Sequence, residues 1–80
     1  MNIISYDISK IHKEIAIYKA LHLNKSPYII CSEDTLRLIL SIIDPEKIYT
    51  YAKDNTVVRT FIGCKVLEDN SLNLGEIEIR

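Results

Sequence analysis

Eighty residues, 48% of them apolar and 26% charged, suffice for one globular domain with a thin core and argue against a disordered chain. A formal net charge of −1 lacks the basic excess that nucleic acid or an anionic membrane surface would select. No run approaches the ~20 apolar residues of a membrane span, and Met1-Asn2-Ile3-Ile4-Ser5-Tyr6-Asp7 does not read as a signal peptide, so a cytoplasmic protein is expected.

The charge is evenly spread: residues 1–40 carry five Lys or Arg against four Asp or Glu, and residues 41–80 carry five against seven. Ile is used heavily, while Gly and Pro occur twice each, which predicts regular elements joined by short connections. The first is a helix from about Asp7 to about Leu23. Ile4, Ile8, Ile11, Ile15 and Tyr18 recur in steps of four and three and mark its buried face. Ser5 and Asp7 both suit its N-cap; Asn24 tolerates the left-handed backbone that ends helices, and Pro27 forbids continuation.

Pro27-Tyr28-Ile29-Ile30-Cys31 reads as a short buried strand. Ser32-Glu33-Asp34 then opens a second helix, with a good cap and two acids at the positive end of its dipole. Leu36, Ile39, Leu40 and Ile43 line one face of it, and Leu38 and Ile42 widen that face, so this helix is expected to be covered on more than one side until Asp44-Pro45 stops it.

From there the chain reads as β structure. Ile48–Tyr51 is a strand and Lys53-Asp54-Asn55 a turn; Thr56–Ile62 is a strand, and Gly63 marks a bulge, bend or very tight hairpin before Cys64–Glu68. Asp69-Asn70-Ser71 is a loop. Glu76-Ile77-Glu78-Ile79-Arg80 alternates charge with Ile and predicts a half-solvated last strand. The expected fold is α+β: a single domain over residues 1–80, with two helices packed on one face of a small, mostly antiparallel sheet of about four strands.

Candidate chemistry is sparse. His12 and His22 stand ten residues apart on one helix, about 15 Å, too far to share a metal ion. Cys31 precedes a helix N-cap and Cys64 follows Gly63, either of which could favour a thiolate, but their apolar neighbours predict packed, reduced thiols. A disulfide between them stays open should their strands be neighbours. Glu33-Asp34, Glu68-Asp69 and Glu76 with Glu78 are carboxylate pairs that capping, turn formation and a solvated strand face explain. Gly63 and Gly75 are isolated, so no phosphate-binding glycine loop is present, and Arg37 is the one basic residue of helix two. Tyr49 and Tyr51 fall on the same face of their strand, with Thr50 opposite. They form either a packing rim under a helix or a contact patch for a partner.

Two segments carry a resemblance. Phe61-Ile62-Gly63-Cys64-Lys65-Val66-Leu67-Glu68-Asp69, with Leu72 and Leu74-Gly75-Glu76-Ile77, follows the order large apolar residue, Gly-x-x-Val, acidic turn, Leu-x-x-Gly, final strand. Upstream, Lys25–Leu36 supplies a Pro, an apolar strand and a helix opened by Ser and acids. Together, over residues 25–79, they resemble part of the major capsid protein of tailed bacteriophages and small phage or prophage proteins with the same order of elements. The resemblance implies an α+β fold and a non-enzymatic role; the chain is far shorter than a whole capsid shell fold.

The sequence thus points to a non-enzymatic structural or protein-interaction domain, with no cofactor and no metal, whose partner is another protein or a second copy of itself. Apolar helix two, the Tyr49/Tyr51 face and an unpaired sheet edge motivate that expectation. Two other classes remain: a small regulatory module binding nucleic acid or a ligand, and a thiol-dependent enzyme or redox sensor using Cys31 or Cys64.

Overall fold

The computed structural model describes residues 2–80. In chain order the elements are β1 (Asn2–Ser5), α1 (Ile8–Leu21), β2 (Ile29–Cys31), α2 (Glu33–Leu38), β3 (Ile48–Lys53), β4 (Thr56–Phe61), β5 (Cys64–Glu68) and β6 (Glu76–Ile79). Between α2 and β3 run a π-helical turn, Ile39–Ile43, and a single 3₁₀ turn, Pro45–Lys47.

The helix signals act where the sequence places them. Asp7, not Ser5, caps α1: its Oδ1 accepts from the backbone N–H groups of Ser9 (3.0 Å) and Lys10 (3.2 Å). Ser32 caps α2 through the N–H of Thr35. At the far end of α1, Leu23 and Asn24 both take positive φ, +53° and +63°. Asn24 does so readily; Leu23 is an exposed apolar residue held in a conformation that costs an L side chain about 1–2 kcal/mol.

The fold class is α+β, but the sheet differs from the expected one. Among the described residues it has six strands in the order β1-β6-β2-β5-β4-β3, not about four, and it is mixed, because β2 and β5 run parallel. The other pairings are antiparallel. β1 escaped the sequence reading because its Ile3 and Ile4 are too few to show alternation, and Ile4 fits the helix stripe by spacing. The parallel pair arises because β2 sits between β5 and β6, which run in opposite directions, so it is parallel to one and antiparallel to the other.

This insertion also corrects the reading of β6 as half-solvated. Flanked on both sides, it buries Ile77, Ile79 and Glu78 alike. Helix two differs as well. The chain widens after Leu38, so that Asp44 N–H bonds the carbonyl of Ile39, five residues back (3.1 Å). Ile42 and Ile43 end on the outside rather than under cover.

Both helices cover one face. Ile11 and Ile15 of α1 and Leu36 of α2, with Ile39 just beyond it, join Ile29, Cys31, Ile48, Phe61, Cys64, Ile77 and Ile79 in a single buried cluster. Tyr6 packs edge-on against Phe61 and donates its hydroxyl proton to Asp44 Oδ2 at 2.5 Å, tying the start of α1 to the end of the π turn. Burial and the Asp44 carboxylate together push the Tyr6 hydroxyl well above its ordinary pKa.

A second tie joins α2 to the start of β6. Gly75 donates its N–H to the buried Thr35 Oγ1 (3.0 Å) and accepts from Tyr6 N–H (2.7 Å), while Thr35 Oγ1 also meets Ser32 Oγ (2.9 Å). Gly75 holds φ = +83°, which glycine adopts without strain.

Two stability predictions arise here. Leu23→Gly relieves the left-handed strain without losing burial and should stabilise the fold by about 0.5–1 kcal/mol, read as a higher urea midpoint at constant slope. Thr35→Val keeps the shape but strands the Gly75 N–H and leaves the Ser32 hydroxyl only its capping bond, and should cost about 2 kcal/mol in the same measurement.

Candidate interaction surface

The strand registers define what the uncovered face of the sheet carries. Residues paired across strands share a face. One row runs from Ile3 (β1) through Glu78 (β6) and Ile30 (β2) to Leu67 (β5). A second runs from Lys65 (β5) through Thr60 (β4) to Tyr49 (β3), with Val58 and Tyr51 beside it. Tyr28 lies on the same face one row along, because its N–H and C=O bond Arg80 and continue the β2–β6 ladder.

None of these side chains belongs to the helix-covered cluster. Tyr49 is 68% exposed, Ile3 53%, Tyr28 46% and Leu67 45%. Tyr49 and Tyr51 sit side by side as expected, ring centroids 5.7 Å apart and tilted by 32°. They lie on the face away from the helices, so the packing-rim alternative does not describe them. Within this collar Ile30 and Glu78 are buried, and Glu78 has Arg80 Nε 3.6 Å from its carboxylate. Glu76 and Glu78 do share a strand face, but Glu78 is not solvated there.

Sequence reasoning found Tyr49 and Tyr51 and missed Ile3, Tyr28 and Leu67. The available signal was β2 itself: Tyr28 and Ile30 are apolar on one side, Ile29 and Cys31 on the other, and a strand apolar on both sides has neighbours on both.

Besides a hollow of about 270 Å³ at the start of α2, bordered by Ser32, Glu33, Asp34, Asn70, Leu72 and Leu74, two more open on the described surface. One of about 370 Å³ lies between α1 and the end of β6, bordered by Ile17, Tyr18, Leu21, His22, Ile79 and Arg80. His22 stacks on Tyr18 (3.9 Å between centroids) and its Nδ1 meets the Tyr18 carbonyl at 2.9 Å, contacts that serve the end of α1. The other, about 230 Å³, opens where β4 and β5 separate. They pair at Thr60↔Lys65 and Phe61↔Cys64, and Arg59 beyond carries a buried Nε without a hydrogen-bond partner.

The remaining candidates have local explanations. Cys31 and Cys64 are free and buried. Their strands are neighbours, yet Cys31 aligns with Glu68, four residues along β5 from Cys64. That offset is about 13 Å, beyond the ~7 Å reach of a disulfide. Burial, with the Glu68 charge, raises the Cys31 thiol to about 11, the opposite of thiolate stabilisation. Burial also raises Cys64, against a small opposing pull from Lys19. Asp69 accepts from the Ser71 hydroxyl (2.7 Å) and N–H (3.0 Å), bonds that hold its carboxyl below the usual range and shape the turn. Glu33 pairs with Arg37 at 2.6 Å on the exposed side of α2. Among the described residues, no three His, Cys, Asp or Glu side chains converge as metal ligands, and no helix is long and apolar enough to cross a membrane.

Comparison of the chain with protein-family models, with curated proteins and with solved structures returns no match.

The thiols give a pH prediction. Folding holds Cys31 protonated up to about pH 11, whereas the unfolded chain ionises it near its ordinary value of 9. Its contribution to stability is therefore whole below pH 9 and is lost as pH rises to about 11. Urea midpoints should fall across that window, less so in Cys31→Ala. A maleimide at pH 7 should label both thiols at least about 100-fold more slowly in native protein than in denaturant.

Proposed function

We propose that this chain is a non-enzymatic structural or protein-interaction domain of phage or prophage origin, acting in the cytoplasm and docking another protein on the uncovered face of its sheet. The observation that carries the reading is that face: Ile3, Tyr28, Leu67 and Tyr49 stand exposed on strands whose other side is already packed. Exposed apolar and aromatic side chains grouped on a rigid surface are the usual composition of a contact patch. The capsid-like order of elements between residues 25 and 79 is the basis for the phage origin. The raised thiols of Cys31 and Cys64 favour a packing role over a redox one.

The double variant Tyr28→Ser, Leu67→Lys tests the reading. Surface substitutions of this kind should move the unfolding free energy by no more than about 1 kcal/mol. In fluorescence-detected sedimentation of labelled protein in an extract of its host, the wild type should run as a complex and the variant as a 9.2 kDa monomer. A wild type that sediments at the monomer mass there defeats the proposal. So does a variant that loses several kcal/mol, because the face would then belong to the core.

A further inference from the structure

The outer edge of β3 is the longest unpaired edge in the described sheet, and its hydrogen-bonding groups can be assigned one by one. Asp54 and Asn55, both at positive φ, form a two-residue turn, so the flanking pair Lys53↔Thr56 exchanges two backbone hydrogen bonds. Antiparallel pairs alternate, so Tyr51 and Tyr49 also spend their backbone groups on β4. Ile48, Thr50 and Ala52 therefore point their N–H and C=O groups outward. The edge carries no proline and no bulge, and Tyr49, Thr50 and Ala52 are exposed. Of the devices that usually protect an edge strand it has a single lysine, Lys53, at its far end.

Its side chains make it self-complementary. The sequence reads nearly the same in both directions about Thr50: Ile48-Tyr49-Thr50-Tyr51-Ala52, with Lys47 and Lys53 outside. A two-fold axis perpendicular to the sheet keeps each copy's faces aligned, so only residues of like parity meet. Of the registers this allows, the one centred on Thr50 uses every outward group. Thr50 faces Thr50 of the second copy and Ile48 faces Ala52 on either side, giving six backbone hydrogen bonds; a shift of one register leaves four. Tyr49 then meets Tyr51 of the second copy at the closely spaced, non-hydrogen-bonded positions. Four tyrosines gather on the uncovered face, and the two threonines meet on the other. At each end Lys47 stands against Lys53 and Glu46 against Asp54, like charges facing like, which weakens the pairing and limits it to the Ile48–Ala52 stretch.

We infer that the chain forms a two-fold dimer by antiparallel pairing of β3 with β3 of a second copy, centred on Thr50. The inference deepens the interaction reading by naming a partner for one edge of the sheet, and rests on that reading. Because each copy spends the same edge, the assembly closes at two. An edge this short buries less than the ~1,200 Å² of a standard interface, so the dimer is weak and reversible.

Sedimentation equilibrium of pure protein from about 20 µM to about 1 mM should show the mass rising from 9.2 kDa toward twice that value. Thr50→Pro removes an outward N–H and no bond to β4; it should keep the native circular dichroism and stay monomeric throughout. Thr50→Cys supplies a second readout that does not depend on proline being tolerated. Hydrogen-bonded partners lie about 5.5 Å apart at Cα, within disulfide reach, whereas two copies of Ala52→Cys would be offset by four residues, about 13 Å. Under mild oxidation Thr50→Cys should cross-link at least about tenfold faster than Ala52→Cys. A wild type that is monomeric at 1 mM, a folded Thr50→Pro that dimerises equally well, or equal cross-linking rates overturn the β3 dimer. None of these outcomes bears on the Tyr28/Leu67 face, whose test is the complex in extract.

Discussion

The seat of β6 between β1 and β2 is the constraint on which the rest depends. Glu76–Ile79 pairs with Asn2–Ser5 on one side and with Ile29 and Ile30 on the other, so this side of the sheet closes only when segments up to 77 residues apart meet. That geometry makes β1 and β2 parallel to each other with one strand between them, and α1 is the connection that spans the gap. It also places Ile77 and Ile79 under α1 and α2 at the centre of the core. Gly75 holds the start of this strand from two directions, through the Thr35 hydroxyl and the Tyr6 amide. The local cap of α2 and the long-range closure of the sheet therefore share one buried hydroxyl.

The same arrangement makes the molecule two-sided. The two crossovers, α1 from β1 to β2 and the α2 segment from β2 to β3, advance in one direction along the sheet and pack on the same face, as the right-handed preference of such connections requires. Among the described residues no helix packs on the opposite face, where Ile30 and Glu78 are buried only among their strand neighbours. Its apolar residues are not an accident of a single strand: Ile3, Tyr28, Leu67 and Tyr49 come from four strands and spread across one face, from the β1 edge to the β3 edge. Surface chemistry that depends on four strands is a property of the sheet.

The turns show how local strain is held by that sheet. Ile62, a β-branched residue, sits at φ = +52° in the two-residue turn joining β4 to β5, with Gly63 at +77°. A turn of this hand matches the twist of the flanking strands. Ile62 packs against the core and Phe61 is buried beside it, so burial offsets a conformation that asparagine or glycine would adopt more easily. Leu23 has no such compensation, being exposed.

The legible part of this protein was the part governed by neighbours in sequence. The start and end of α1, the Ser32 cap, the Asp54-Asn55 and Asp69–Ser71 turns and an interruption at Gly63 were readable because each is fixed by groups a few residues apart; that the interruption is a hairpin and not a bulge or bend came from the structure. The same parity rule put Tyr49 and Tyr51 on one face. Strand order, the parallel β2–β5 pair, the burial of Glu78 and the exposure of Tyr28 and Leu67 were decided only by tertiary structure. Charge alternating with Ile in β6 says which residues share a side, but not whether that strand lies at an edge or in the middle. Which strand neighbours which depends on residues up to 77 positions apart, and a periodic pattern carries no record of them.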